Sequence, residues 1–149
     1  MPDMYAVAGS KIYIGGTLSA KATDFVVGDY AGQTWTLVDG WETAGTVGDA
    51  AEVISTPLIN QGRVVKIKGT NDAGSMENNF ASYPTDPGQV AMLAAQALKV
   101  NKAFKVEWSD GVVEYFIALV SSRQRAGGGA NDAVMRAFTL EINSNVVSV

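Results

Sequence analysis

From Phe104 to Ile142 the side chains alternate with a period of two, and few folds other than an antiparallel sheet accommodate that pattern. Phe104, Val106 and Trp108 fall on one face of a first strand, with Lys105 and Glu107 on the other. Ser109-Asp110-Gly111 follows, and Asp110-Gly111 supplies the positive backbone dihedrals of a tight hairpin turn. The next strand, Val112 to Ser122, is apolar on both faces: Val113, Tyr115, Ile117 and Leu119 point one way, Phe116, Ala118 and Val120 the other. Such a strand is central in a sandwich or buried against a neighbouring subunit. After a glycine-rich loop, a third strand sets Val134, Phe138, Leu140 and Ile142 opposite Met135, Ala137, Thr139 and Glu141. The three make an antiparallel meander.

The rest of the chain is shorter in its signals. Lys11 to Ile14 reads as a strand closed by Gly15-Gly16. Thr23 to Val27 is a second short strand or part of a loop, and Gln33 to Val38 is a strand with Trp35 and Leu37 on its core face. Residues 39–50 carry three glycines and three acids without apolar periodicity, which predicts a long loop holding Trp41 exposed or half-exposed. Ala51 to Thr56 resumes strand character and Pro57 ends it. Arg63 to Lys68 is a strand with a basic edge, Gly69 to Gly74 a turn-rich connection, and Ser75 to Tyr83 a polar strand with Met76 and Phe80 on one face. Asp86-Pro-Gly-Gln89 is a helix start: Asp86 caps, Pro87 fits the first helical position and Gln89 stands where a capping box needs it. Val90, Leu93, Ala94, Ala97 and Leu98 then form one apolar stripe on a helix over about residues 86–99, with Gln89, Met92, Gln96 and Lys99 opposite. The expected fold is mainly β: an antiparallel sandwich or barrel with this one flanking helix and long flexible loops, in a single domain over residues 1–149.

Composition narrows the chemistry. The chain has no cysteine and no histidine, which removes disulfides, thiolate chemistry, zinc sites of the usual kind and any catalysis through an imidazole. No spacing among the 15 carboxylates singles out an acid–base pair, and Asn71 with Asp72 is too small a cluster for calcium. Gly127-Gly128-Gly129 lies between strands and lacks the Lys-Ser/Thr of a phosphate loop, so it is a hairpin loop. No catalytic, cofactor or metal residue is assigned. Net charge is −4, a poor starting point for holding nucleic acid through its phosphates, and no apolar run approaches the roughly 20 residues of a membrane span. Met1 to Tyr5 lacks the basic start of a signal peptide, so synthesis in a cytoplasm is expected.

Charge placement says more than charge total. Between Ala22 and Gly62 stand six acids and no base, whereas Arg63, Lys66 and Lys68, then Lys99, Lys102 and Lys105, then Arg123 and Arg125 gather elsewhere. A molecule with unlike ends associates head to tail, giving rings or filaments. The candidate contact residues are Asp39, Trp41, Glu42, Asp49 and Glu52 in the acidic segment, and Arg63, Lys66, Lys68, Arg123 and Arg125 in basic patches.

The order of these elements resembles the tail tube (major tail) proteins of long, flexible-tailed bacteriophages. Phe104 to Ser122, the loop after it and Met135-Arg-Ala-Phe-Thr-Leu-Glu-Ile142 carry the resemblance. Asp86-Pro-Gly-Gln89 before an alanine-rich helix and Lys68-Gly-Thr-Asn-Asp-Ala-Gly74 add to it, over roughly residues 33–143. The resemblance implies a non-enzymatic β-sandwich that forms hexameric rings. The rings would stack head to tail around a tape-measure protein into the hollow tube of a virion tail, with tail terminator and tail-tip proteins as further partners. DNA would pass through the lumen without specific binding. The fold is shared with contractile-tail tubes and the type VI secretion tube, so a secretion tube is the alternative within the fold. A C-terminal immunoglobulin-like decoration, which many such proteins carry, is not expected in this chain. From the residues alone, a monomeric β-sandwich binding carbohydrate on exposed coplanar aromatics is the alternative from another class.

Overall fold

The structure is a computed structural model that describes residues 2–149. Its strands are β1 (Lys11–Thr17), β2 (Thr36–Val38), β3 (Trp41–Thr43), β4 (Ala50–Leu58), β5 (Arg63–Asp72), β6 (Ser75–Ala81), β7 (Lys102–Glu107), β8 (Val113–Ala126), β9 (Met135–Ile142) and β10 (Val147–Ser148). One helix, α1 (Pro87–Ala97), and a short 3-10 helix, Val27–Tyr30, complete them. The meander is present as β7-β8-β9 inside one antiparallel sheet ordered β2-β1-β7-β8-β9-β6-β3, with β10 added to β8. β4 and β5 pair only with each other.

Only Asp39 and Gly40 separate β2 from β3, yet these strands form opposite edges of the sheet. The sheet therefore rolls until its edges approach, and the seam is closed by side chains and a turn instead of a ladder. Asp86 caps α1 as expected, accepting from Gln89 N at 3.0 Å, and the same carboxylate oxygen accepts from Asp39 N at 3.1 Å. Gln89 Nε2 donates to Asp39 O at 2.8 Å and to Ala81 O at 2.7 Å, while its Oε1 accepts from Tyr83 N at 3.1 Å. Gly40 has φ +82°, and a Cβ there would lie 2.7 Å from Ala81 O, so the seam needs a glycine.

This seam reverses the expected face of the helix. The buried positions are Gly88, Gln89, Met92 and Ala95, while Val90, Ala94, Ala97 and Leu98 are exposed. Counting apolar residues missed that Gln89 must face inward to satisfy three backbone groups and that Gly88 lies against the β2 backbone. Only Leu93 of the predicted stripe packs on the core.

The main core lies inside the roll. Ile12, Ile14, Val38, Met76, Phe80, Phe104, Val106, Phe116, Val120, Phe138 and Leu140 meet Met92 and Ala95 of α1. From Val113 to Val120 β8 is buried or half-buried on both faces, as its sequence indicated. Phe116, Ala118 and Val120 belong to the main core; Ile117 joins Phe25, Tyr30 and Ala103 in a second cluster on the outer face. The chain's own segment around Phe25–Trp35, with β10, covers that face, so no neighbour is needed there.

Several local expectations change. Thr23 to Val26 forms no strand, and the 3-10 turn that follows buries Tyr30. The Gln33–Val38 strand is confined to β2, and it is Val38 that enters the core while Leu37 is exposed and Trp35 packs on the outer cluster. The long 39–50 loop contains β3, and Gly45 sits so close to β6 that a Cβ would lie 2.5 Å from Glu77 O. β4 continues through Pro57, which faces Val64; a strand with an open side tolerates a residue without an N–H. β5 likewise runs on to Asp72, leaving Ala73-Gly74 as the turn. Gly111 alone takes positive φ in the Asp110-Gly111 turn. Val134 is exposed ahead of β9.

Tyr30 offers a test of the outer cluster. Its ring stacks on Tyr115 at 5.2 Å, and its hydroxyl is buried without a hydrogen-bond partner, since Ser144 Oγ donates to Asn145 O. Burial pushes the phenol up to about 12, against the pull of the nearby Ser144 hydroxyl, with Asp29 adding to the rise. An acid whose folded pKa is raised binds its proton more tightly when folded. Its stabilising contribution is thus complete below about pH 10 and is lost as pH climbs through about 12. Melting temperature should fall across that window by an amount set by roughly 2–3 kcal/mol, and Tyr30→Phe should flatten the fall. Thermal melts at pH 9 and 11.5 check both.

Candidate assembly interface

The hairpin β4–β5 is the least explained part of the molecule as a monomer. Strands of nine and ten residues run about 30 Å. Register and alternation give the hairpin two unlike faces. Ile54, Thr56, Leu58, Arg63, Val65 and Ile67 share one; Val53, Ser55, Pro57, Val64, Lys66 and Lys68 share the other. Ile54 is 46% exposed and its cross-strand partner Ile67 59%. An isolated two-stranded hairpin is marginally stable in water, and a contiguous exposed apolar face marks a contact surface.

The residues expected to make contacts fall in three places. Glu52, Arg63, Lys66 and Lys68 lie on this hairpin, with Asp49 just before it. Asp39, Trp41 and Glu42 lie at the seam and on β3; Arg123 and Arg125 lie on the far end of β8. Asp39 Oδ1 accepts from Gly40 N at 2.9 Å, and Glu42 accepts from Thr43 Oγ1 at 2.7 Å. Among the described residues, the ion pairs are Lys21–Asp29 at 2.7 Å and Lys105–Glu107 at 3.1 Å, so none of the ten is paired. Trp41 is more a core residue than a free anchor. Its Nε1 donates to buried Asn78 Oδ1 at 3.2 Å, and its ring lies 5.9 Å from Trp108 and 6.5 Å from Phe80.

Sequence reasoning missed the apolar hairpin face and Arg136. The signal for the first was present in Ile54, Val65 and Ile67 at strand spacing, with nothing opposite to cover them. The signal for the second was an arginine in phase with Phe138, Leu140 and Ile142. The tryptophans do not build a flat sugar platform: Trp35 is tilted 47° to Tyr115 beneath Lys105, and Trp41 is tilted 43° to Trp108. No helix among the described residues is long and apolar enough to cross a membrane.

No family model and no curated protein sequence matches this chain. Solved structures do match over essentially its whole length. A chain of the anti-feeding prophage baseplate, solved with six-fold symmetry, superposes with a TM-score of 0.69 at 8% identity, covering 100% of this chain and 97% of that one. The sheath/tube terminator structure of an extracellular contractile injection system (PVC) gives 0.67 at 12% identity, covering 99% and 98%. The SPP1 tail tube gives 0.60 at 17% identity, covering 96% and 78%. These neighbours are components of tails and injection systems, and what they share with this chain is the tail tube fold.

Proposed function

We propose that this chain, whose fold is that of tail tube and injection-system tube components, is a structural subunit that associates with its own copies into a tube. The observation that carries this reading is the unpartnered amphipathic hairpin β4–β5 on such a fold. In the finer form of the proposal, subunits close into hexameric rings that stack head to tail into the hollow tail of a virion made in a bacterial cytoplasm. A tape-measure protein fills the tube, terminator and tail-tip proteins close it, and DNA transits the lumen without specific binding. A net charge of −4 suits a wall that must not hold a polyanion. Asp39, Glu42, Asp49 and Glu52 on one side, and Arg63, Lys66, Lys68, Arg123 and Arg125 on the other, are the proposed polar contacts between subunits, with Trp41 supporting the acidic segment from beneath.

Negative-stain electron microscopy of concentrated protein across a salt series tests the reading. Rings and hollow tubes are expected, with stacking lost as salt screens the unlike charges. A uniform monomer at every concentration and salt, including after seeding with preformed tail tips, counts against it. A second reading, the tube or terminator of a contractile injection system, is favoured by the higher TM-scores of the injection-system chains over the SPP1 tube. A contractile sheath isolated around the native tube would select it; a naked flexible tube would select the first.

A further inference from the structure

Three arginines converge where β8 and β9 run past the core. Arg125 stands directly opposite Arg136, and Arg123 opposite Phe138, so all three project from one face of the sheet. The continuing row across β6 and β3 is Phe80 then Trp41; Glu77 pairs with Thr139, one register step off, and so lies on the other face. No carboxylate lies within ion-pair distance of any of the three, and none of the guanidinium groups donates a hydrogen bond to another described residue. Like charges directly opposite in a ladder destabilise it. Burial, and then the charges of Arg125 and Arg123, hold the Arg136 guanidinium below its ordinary value. A chain with more acids than bases has left three guanidiniums to repel one another at one spot.

We propose that Arg123, Arg125 and Arg136 form a carboxylate-binding site for a second copy of this chain, which presents its acidic segment Asp39–Glu52. The proposal rests on the self-association reading above. A planar guanidinium fork takes a carboxylate bidentately, and three forks at one place suit a segment carrying several acids. Among the described residues Asp39, Glu42, Asp49 and Glu52 form no ion pair, so one contact neutralises two clusters at once. Binding of a nucleic-acid phosphate would leave the acidic cluster uncompensated, against the field of a net −4 chain. In the proposed tube each copy gives its acidic segment to one neighbour and its arginines to another, a heterologous, head-to-tail contact.

A charge-swap pair tests this in the full chain. Arg125→Glu/Arg136→Glu makes both surfaces acidic; Glu42→Arg/Asp49→Arg/Glu52→Arg, which leaves Asp39 as the one acid of the segment, makes both basic. Each variant alone should fail to assemble at concentrations about tenfold above the wild-type threshold, and an equimolar mixture should recover assembly as alternating copies. The melting temperature of the first variant should stay near that of the wild type, because one directly opposed like-charge pair replaces another. Wild-type assembly by Arg125→Glu/Arg136→Glu overturns this inference and leaves self-association standing. Failure of the mixture, with both variants folded, overturns the assignment of the acidic segment as partner. Binding of a 30-nucleotide single strand to the wild type that the first variant loses, with assembly intact, reassigns the site to phosphate. Absence of any association of the wild type overturns both readings.

Discussion

Ile54→Lys/Ile67→Glu is expected to abolish tube formation while leaving the folded subunit intact. The two isoleucines face each other across β4 and β5, and no strand outside the hairpin pairs with either. Placing opposite charges at this cross-strand position retains pairing within the hairpin, so its own stability is preserved. Substitutions on exposed surface typically change stability by no more than about 0.5 kcal/mol, which keeps the melting temperature within about 2 °C. In a tube, however, each isoleucine that becomes buried contributes about 1.5–3 kcal/mol, and a charge there adds the cost of desolvation. The assembly threshold should rise by about a hundredfold or more. Sedimentation of wild type and variant over a concentration series measures it; tubes at an unchanged threshold would remove the hairpin from the interface.

Gly88→Ala should destabilise the fold strongly, and the sign is the informative part. Helix propensity alone predicts a gain of about 1 kcal/mol for replacing glycine by alanine. In this structure a Cβ at Gly88 would stand 2.1 Å from Leu37 O and 2.4 Å from Val38 Cα, both backbone atoms of an edge strand. Either α1 lifts or β2 shifts, and both movements pull on the Gln89 and Asp86 hydrogen bonds of the seam. Overpacking of this kind costs about 3 kcal/mol, a fall of about 10 °C in melting temperature for a chain this long. Urea unfolding and calorimetry decide it, and a midpoint at or above wild type would mean that the close approach of helix and strand is relieved cheaply.

The parts of the fold that could be read from residues were those governed by local periodicity. Phe104, Val106, Phe116, Phe138 and Leu140 alternate because each stands in a strand with one face on a single core, so the meander was visible. Asp86-Pro87 announced the helix because capping is a local interaction. The face of that helix was not visible. Gln89 is polar, and only the remote groups Asp39 O and Ala81 O explain why it is buried while Val90 is exposed. Trp41 is half-exposed, as expected, but its place on β3 was not visible, because its partner Asn78 stands 37 residues away. For the candidate interface, clustering of charge along the chain located the acidic and basic segments. It could not show that Arg125 and Arg136 meet, because that meeting is set by register across β8 and β9.

The junction at Asp39–Gly40 has a consequence for the order in which the subunit can be completed. β2 docks on β1, whose other neighbour is β7, and β3 docks on β6, whose other neighbour is β9. Neither edge can therefore settle until the last third of the chain has formed the middle of the sheet. A polypeptide leaving the ribosome has its first eighty residues waiting for a template that does not yet exist. Native contacts of such long sequence separation make folding slow. Through that interval the hairpin β4–β5, whose pairing is wholly local, is the one long ladder able to form first. Under the proposed self-association, the apolar face would be ready before the body that carries it, and productive assembly would depend on closure of the seam outrunning encounter between chains.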